Sequence, residues 1–285
     1  MLLLCRLVAA LPLSAVHKLG ALLARIAFVF AGGERRRLER NLALAGYSDP
    51  ALQRTVIEES GKTLLELPWI WLRPQEEVAK LVREVANPEV FLQAKERGKG
   101  IVFLTPHLGC FEVSAQFAAA HSPITVMYRP PRQRMLEPLL RAGRARGNVR
   151  VATADRRGVF ALLRALRNGE AVGILPDQVP SRGEGEWAEF FGRPAYTMAL
   201  ASRLVDATGA TAILAFCERL PDAAGYRIHL ETLPDREPGE SSARRLNRAL
   251  EKLIRKKPEQ YLWSYNRYKV PPGVEPPGEA VEAPR

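Results

Sequence analysis

Short apolar runs separated by helical stretches constrain the fold of this chain more than any other feature. Ile101–Leu104 is a continuous apolar run behind Gly98 and Gly100, and it reads as a buried strand. Ile124–Met127, Ala171–Leu175, Thr211–Phe216 and Tyr226–Glu231 read the same way, with helical stretches at about 112–120, 135–147, 158–168 and 197–207. Such alternation predicts an α/β fold, a single domain with a mostly parallel or mixed central sheet flanked by helices. The chain's 285 residues suffice for one domain of this kind with a full core. A short Pro/Asp/Gly turn from Leu220 to Gly225 predicts that the last two strands run antiparallel. Residues 34–97 read as helical, with apolar positions around Val56, Leu64, Leu65 and Leu67 and punctuation at Pro68 and Pro74. An amphipathic helix is expected over 241–257, with Leu246, Leu250, Leu253 and Ile254 on one side. Residues 271–285, rich in proline and poor in apolar side chains, predict a disordered tail.

Residues 1–33 are strongly apolar, but Arg6, Lys18 and Arg25 interrupt them. The uncharged pieces are shorter than the roughly 18–20 residues of a spanning helix. No basic stretch precedes the apolar start, so a secretory signal fits poorly. Residues 1–33 are therefore expected to form an apolar, helical membrane-associating segment, with Lys18 and Arg25 reaching to headgroups. Whether it spans or lies on the bilayer stays open, and a buried helix pair is the other reading. Arg35, Arg36, Arg37 and Arg40 follow at once, as contact with anionic lipid requires. The net charge of +11 points to a polyanionic partner. The basic residues are scattered and the Trp and Tyr residues form no RNA-binding block, which argues against nucleic acid. Cys5, Cys110 and Cys217 form no CxxC pair, and no HExxH, GxxxxGK[ST] or GxGxxG occurs, so common zinc, P-loop and dinucleotide sites are excluded.

The segment Leu104-Thr105-Pro106-His107-Leu108-Gly109-Cys110-Phe111-Glu112 lies where a strand ends and a helix begins. Ligands of α/β folds gather at the carboxyl ends of strands. There His107 can act as a general base and Glu112 can orient it and offset the charge that develops on it. Gly109 would let backbone amides approach a reacting carbonyl. Tyr128-Arg129-Pro130-Pro131 and Leu175-Pro176-Asp177-Gln178 follow two further strands. Three strands thus end in polar residues on one rim.

Taken together, these blocks resemble the lipid A biosynthesis acyltransferases, the late lauroyl- and myristoyl-type enzymes within the wider glycerolipid acyltransferase group that carries an H-x4-D/E motif. That motif is His107 and Glu112 here. Further matching blocks are Tyr128-Arg129-Pro130, Gly173 to Gln178, Phe190 to Thr197 and Pro258 to Trp263 with Arg267 and Lys269 behind, besides Arg40-Asn41-Leu42 near the N-terminus. Cys110 departs from the family, where Asn is expected. The resemblance covers about residues 1–270, with a catalytic core from about 98. It implies transfer of a fatty acyl chain from acyl carrier protein to a hydroxyl of a lipid A precursor, at the cytoplasmic face of the inner membrane, without cofactor or metal. His107 and Glu112 would be catalytic. Arg129 would stabilise the oxyanion or bind an acceptor phosphate, with Asp177 and Gln178 shaping the site. Three other readings are a lysophospholipid, aminolipid or glycolipid acceptor, a Cys110 nucleophile, and a non-enzymatic basic peripheral membrane protein.

Overall fold

The structure, a computed structural model, describes residues 2–130 and 137–277. Four helices come first: α1 (Leu2–Ala10), α2 (Leu13–Phe30), α3 (Gly32–Leu44) and α4 (Pro50–Leu72). Pro12 precedes the first residue of α2, and Asp49 caps α4, its carboxylate accepting from the Ala51 amide at 2.8 Å. The short α5 (Gln75–Ala79) leads into β1 (Val82–Ala86), α6 (Pro88–Glu96), β2 (Ile101–Leu104), α7 (Phe111–His121) and β3 (Ile124–Tyr128). Beyond the undescribed residues come α8 (Glu137–Arg144), β4 (Val149–Thr153), α9 (Arg156–Arg167) and β5 (Ala171–Ile174). A hairpin of β6 (Gly185–Phe190) and β7 (Arg193–Met198) follows, then α10 (Leu200–Thr208), β8 (Thr211–Arg219), β9 (Tyr226–Thr232) and α11 (Ser242–Ile254).

Seven strands form one sheet in the order β1-β9-β8-β2-β5-β3-β4. β8, β2, β5, β3 and β4 are parallel, β9 runs antiparallel to β8, and β1 pairs parallel to β9. The α/β class and the antiparallel final pair therefore stand as expected. β2 and β5 are buried along their whole length, which is why they read as unbroken apolar runs. Alternate residues of β2 feed two layers. Val102 and Leu104 pack with α9, α10 and α11, while Ile101 and Phe103 pack with α6 and α7.

Three elements depart from the sequence reading. β1 lies within the stretch 34–97 read as helical. It is an edge strand with a register shift at Val82/Glu84, so Arg83 and Glu84 face solvent and the two-residue alternation is lost. β4 went unread because Arg150 interrupts a short edge strand. The β6–β7 hairpin pairs Gly185–Phe190 with Arg193–Met198 across the buried Phe191, which adopts φ +47°, so the helix expected from 197 begins at Leu200. Of the helix expected over 135–147, residues 135–136 lie outside the described residues, and the rest is α8 and a turn. Residues 271–277 of the tail expected to be disordered lie beside the hairpin, the Trp187 indole donating to the Glu275 carbonyl at 2.9 Å. Residues 278–285 lie outside the described residues.

The N-terminal helices are built into the domain. α2 is a candidate membrane-associating segment, long and apolar enough to cross a bilayer by length and composition. One side, with Leu13, Val16, His17, Gly20 and Ala24, is buried, largely against α4. The other exposes Leu22, Leu23, Ile26, Val29 and Phe30, and α1 adds exposed Leu3, Leu4 and Leu7. An exposed apolar stripe of this size on helices otherwise tied to a core suits a bilayer interface. The α2–α4 crossing depends on Gly20 and Gly61. A Cβ at Gly61 would stand 2.1 Å from the Gly20 carbonyl oxygen. Gly61→Leu is expected to force the helices apart and to destabilise the protein by about 1–3 kcal/mol, read as a lower Tm in detergent, whereas a change at the open Gly33 should not.

Candidate active site

The rim formed by the carboxyl ends of β2, β5 and β3 gathers most of the chemically capable residues. β2 and β5 are neighbours in register, Leu104 opposite Ile174, so the loops after them emerge side by side. The first carries His107 and the second carries Asp177 and Gln178. His107 Nδ1 lies 2.9 Å from Asp177 Oδ1, and the His107 backbone amide donates to Asp177 Oδ2 at 2.9 Å. One carboxylate thus fixes both the ring and the backbone that carries it. Asp177 accepts from Nδ1–H, leaving the Nε2 lone pair facing away, where Gln178 Nε2 donates to it at 3.2 Å. The imidazole retains partial exposure and lies 5.0 Å from the Phe111 ring between centroids.

Asp177 is buried, with a relative exposure of 2%. Burial opposes its ionisation, yet the charge and hydrogen bonds of His107 hold its carboxyl below the ordinary carboxylate value. Tyr261, also buried, is pushed well up by burial and by the Asp177 charge, so it remains a neutral phenol.

The loop bearing His107 is clamped through its backbone. The Cys110 amide donates to the Cys217 carbonyl at 2.7 Å, the Gly109 amide to the Gln260 carbonyl at 3.0 Å, and the Leu262 amide to the His107 carbonyl at 3.1 Å. Gly109 adopts φ +62°, and a Cβ there would meet the Cys217 carbonyl oxygen at 2.0 Å. The glycine therefore serves a close backbone approach. Gly109 is expected from the sequence to let backbone amides approach a reacting carbonyl, but its own amide is committed to Gln260 and that of Cys110 to Cys217. The Gly109 carbonyl accepts from Arg219 Nη2 at 3.0 Å.

Arg219 is the centre of a buried charged network. Its Nε donates to Glu66 at 2.7 Å and its Nη1 to Glu59 at 3.0 Å, while Glu66 also accepts from the Tyr226 hydroxyl and pairs with His17 of α2. Gln260 closes the arrangement, its side chain bonding both backbone groups of Arg219. The network joins α2, α4, β8, β9 and the His107 loop.

Glu112 takes a different place from the one its spacing suggested. Its carboxylate bonds the Arg144 guanidinium of α8, through Nε at 2.7 Å and through Nη2. Asp177, not Glu112, holds the His107 ring. Arg144 was missed because it sits in an arginine-rich stretch with no distinguishing neighbour. Arg129 follows β3 on the same rim but is half-exposed, with Glu184 3.8 Å away. Cys110 is buried, and burial pushes its thiol well up, which removes the nucleophile reading. Among the described residues no cluster of His, Cys, Asp and Glu could hold a metal ion.

The remaining sequence blocks brace the rim. Asn41 Nδ2 donates to the carbonyls of Trp263 and Tyr265, and the Tyr265 hydroxyl accepts from the Val179 amide beside Gln178. The buried Arg267 bonds Tyr196, Thr197 and Asn247, tying the hairpin to α11.

With this geometry in hand, comparison with known proteins is decisive. The sequence profile of the bacterial lipid A biosynthesis acyltransferases matches residues 1–270. The chain belongs to that family. It is 27% identical to the lipid A biosynthesis lauroyltransferase of Escherichia coli over 93% of this chain and 89% of that protein. It is 28% identical to the E. coli palmitoleoyltransferase over 74% of this chain and 69% of the relative. A Haemophilus influenzae lipid A biosynthesis acyltransferase is 27% identical over 86% of the chain and 81% of that protein. For this lipid A acyltransferase family member, the His107–Asp177 pair and the rim around it form the candidate catalytic centre.

The buried network gives a pH signature. Burial opposes the charge of Glu66, but Arg219 and His17 lower its pKa from 4.5 to about 2. Its stabilisation is therefore complete above 4.5 and is lost as pH falls through about 2. Denaturant titrations between pH 6 and pH 2, run for the native chain and Glu66→Gln, should show a steeper acid loss in the native chain. The variant, leaving Arg219 underpaired, is expected to be about 3–5 kcal/mol less stable at neutral pH. Parallel pH curves would contradict this account.

Proposed function

We propose that the protein is a membrane-associated acyltransferase that moves a fatty acyl chain from an acyl carrier protein thioester to a hydroxyl of a lipid A precursor. The observation that carries this reading is the His107–Asp177 pair, whose imidazole lies 5.0 Å from Phe111, a residue that lines an apolar cleft beside α7. His107 Nε2 takes the proton of the acceptor hydroxyl as its oxygen attacks the thioester carbonyl. The incoming hydroxyl replaces Gln178 at Nε2. Asp177 holds the tautomer and offsets the imidazolium. Collapse of the tetrahedral adduct breaks the carbon–sulfur bond, and the imidazolium returns its proton to the departing thiolate.

Glu112 contributes at one remove, fixing Arg144 beside Phe111. Arg129, exposed at the rim, is suited to an acceptor phosphate, since an oxyanion donor works best when held rigid and shielded from water. Two adjoining clefts run between α7 and the sheet, sharing Phe111, Ala115, Val126 and Leu175. One continues along Phe103, Ile124, Ala215 and Ile228; it holds only about 30 Å³, so an acyl chain bound there would have to part these apolar side chains. The exposed apolar face of α1 and α2 would seat the enzyme on the cytoplasmic side of the inner membrane, where an amphiphilic acceptor and a soluble donor meet.

Purified protein incubated with acyl carrier protein thioesters and a lipid A precursor should yield a product one acyl chain heavier, read by mass spectrometry. His107→Ala and Asp177→Asn should each lower kcat by about 10²–10⁴-fold. Glu112→Gln, which leaves the His107–Asp177 bond intact, should lose less. Equal rates in all three variants would overturn the mechanism, and acylation of a lysophospholipid alone would move the acceptor. Ala115→Phe narrows the shared part of the cleft, so preference should shift to shorter donors in competition between chain lengths. An unchanged preference would place the acyl chain elsewhere.

A further inference from the structure

α9 presents a face that the reaction described above does not use. Leu162, Ala165 and Leu166 bury its inner side. Its outer side exposes Arg156, Arg157, Phe160, Arg164 and Arg167. Phe160 is 71% exposed, although aromatic side chains of that size are normally covered. These four arginines form no salt bridge among the described residues. The acidic residue at this end, Asp155, is turned to the helix, capping the Gly158 amide at 2.9 Å. An aromatic ring ringed by unpaired guanidiniums has the composition of an interface centre rather than of a solvated helix face.

We propose that this α9 face is the docking surface for the acidic acyl carrier protein. The proposal rests on the reading of a carrier-protein thioester as donor. Its first support is charge: the face is wholly basic, and the partner is acidic. The second is place. α9 starts directly after β4, whose carboxyl end belongs to the rim that holds His107. β4 and β2 are three positions apart in the sheet, roughly 14 Å at ordinary strand spacing. A carrier seated on Arg156 and Arg157 needs only a short flexible arm to bring its thioester to His107. The third is the layer: α9 packs with α10 and α11, a layer that α2 reaches only at Phe28, whereas Val8, Leu13 and Val16 of α1 and α2 pack in the layer with α6 and α7. A carrier on α9 would then lie across the sheet from most of the buried side of α1 and α2.

The test compares two donors on the full-length protein: an acyl carrier protein thioester and the same acyl chain on coenzyme A. Arg157→Glu with Arg164→Glu, and separately Phe160→Ala, should raise KM for the carrier donor by about tenfold or more. The kcat/KM for the coenzyme A donor should not change, and carrier binding measured by titration should weaken in parallel. Salt should bring the native enzyme toward the variant. Should the reversed pair fail to fold, Arg157→Gln with Arg164→Gln carries the same test at smaller amplitude. Unchanged carrier binding in the variants, or an equal fall with both donors, overturns the docking surface while leaving the donor reading intact. A native enzyme that neither binds the carrier nor uses its thioester overturns both. Loss of binding to anionic vesicles with carrier kinetics unchanged would make α9 a membrane contact and overturn the proposal.

Discussion

The arrangement of the rim depends on one buried guanidinium. Arg219 bonds Glu66 and Glu59 of α4 on one side and the Gly109 carbonyl of the His107 loop on the other. A charge so deep is tolerated only when fully paired, and breaking one partner leaves a desolvated ion behind. Burial alone would lower the pKa of Arg219, but its two carboxylates raise it, so the charge is permanent. The consequence is a single connected unit: His17 brings in α2, Tyr226 the reversed strand, and Gln260 the segment whose backbone bonds the His107 loop. The apolar N-terminal helices and the loop that bears His107 are thereby held in one frame.

That frame explains why so much of the sequence pattern proves architectural. His107, Asp177 and Gln178 converge on one another, while Asn41, Gln260, Tyr265 and Arg267 hold their supports. A side chain that is to work on a substrate at a fixed point needs its loop positioned to a fraction of an ångström. Backbone hydrogen bonds from β8 and from the closing segment supply that positioning, and Gly109 permits it.

Glu112 illustrates how spacing can mislead. Five positions after His107, it sits in the first turn of α7, and proximity in sequence suggested contact with the ring. The turn instead directs it to Arg144, and the orienting carboxylate arrives from β5, seventy residues away, because parallel neighbours place their carboxyl ends side by side. Cys110 shows the reverse. Its short distance from His107 permitted a nucleophile, but its burial against Cys217 makes it a packing residue.

The sequence by itself determined the fold class, the buried strands β2, β5 and β8, the rim that carries His107 and Asp177, and the amphipathic α11. These follow from local apolar runs and their periodicity, which a chain displays without knowing its neighbours. It did not determine β1, β4 or the hairpin, whose strand character comes from pairing at edges where solvent-facing charges erase the pattern. Nor did it determine which carboxylate serves His107, what Arg144 and Arg219 hold, or that α2 is bound to the core through Gly20 and His17. Those are contacts between residues distant in the chain, and only the tertiary structure brings their charges close enough to choose partners.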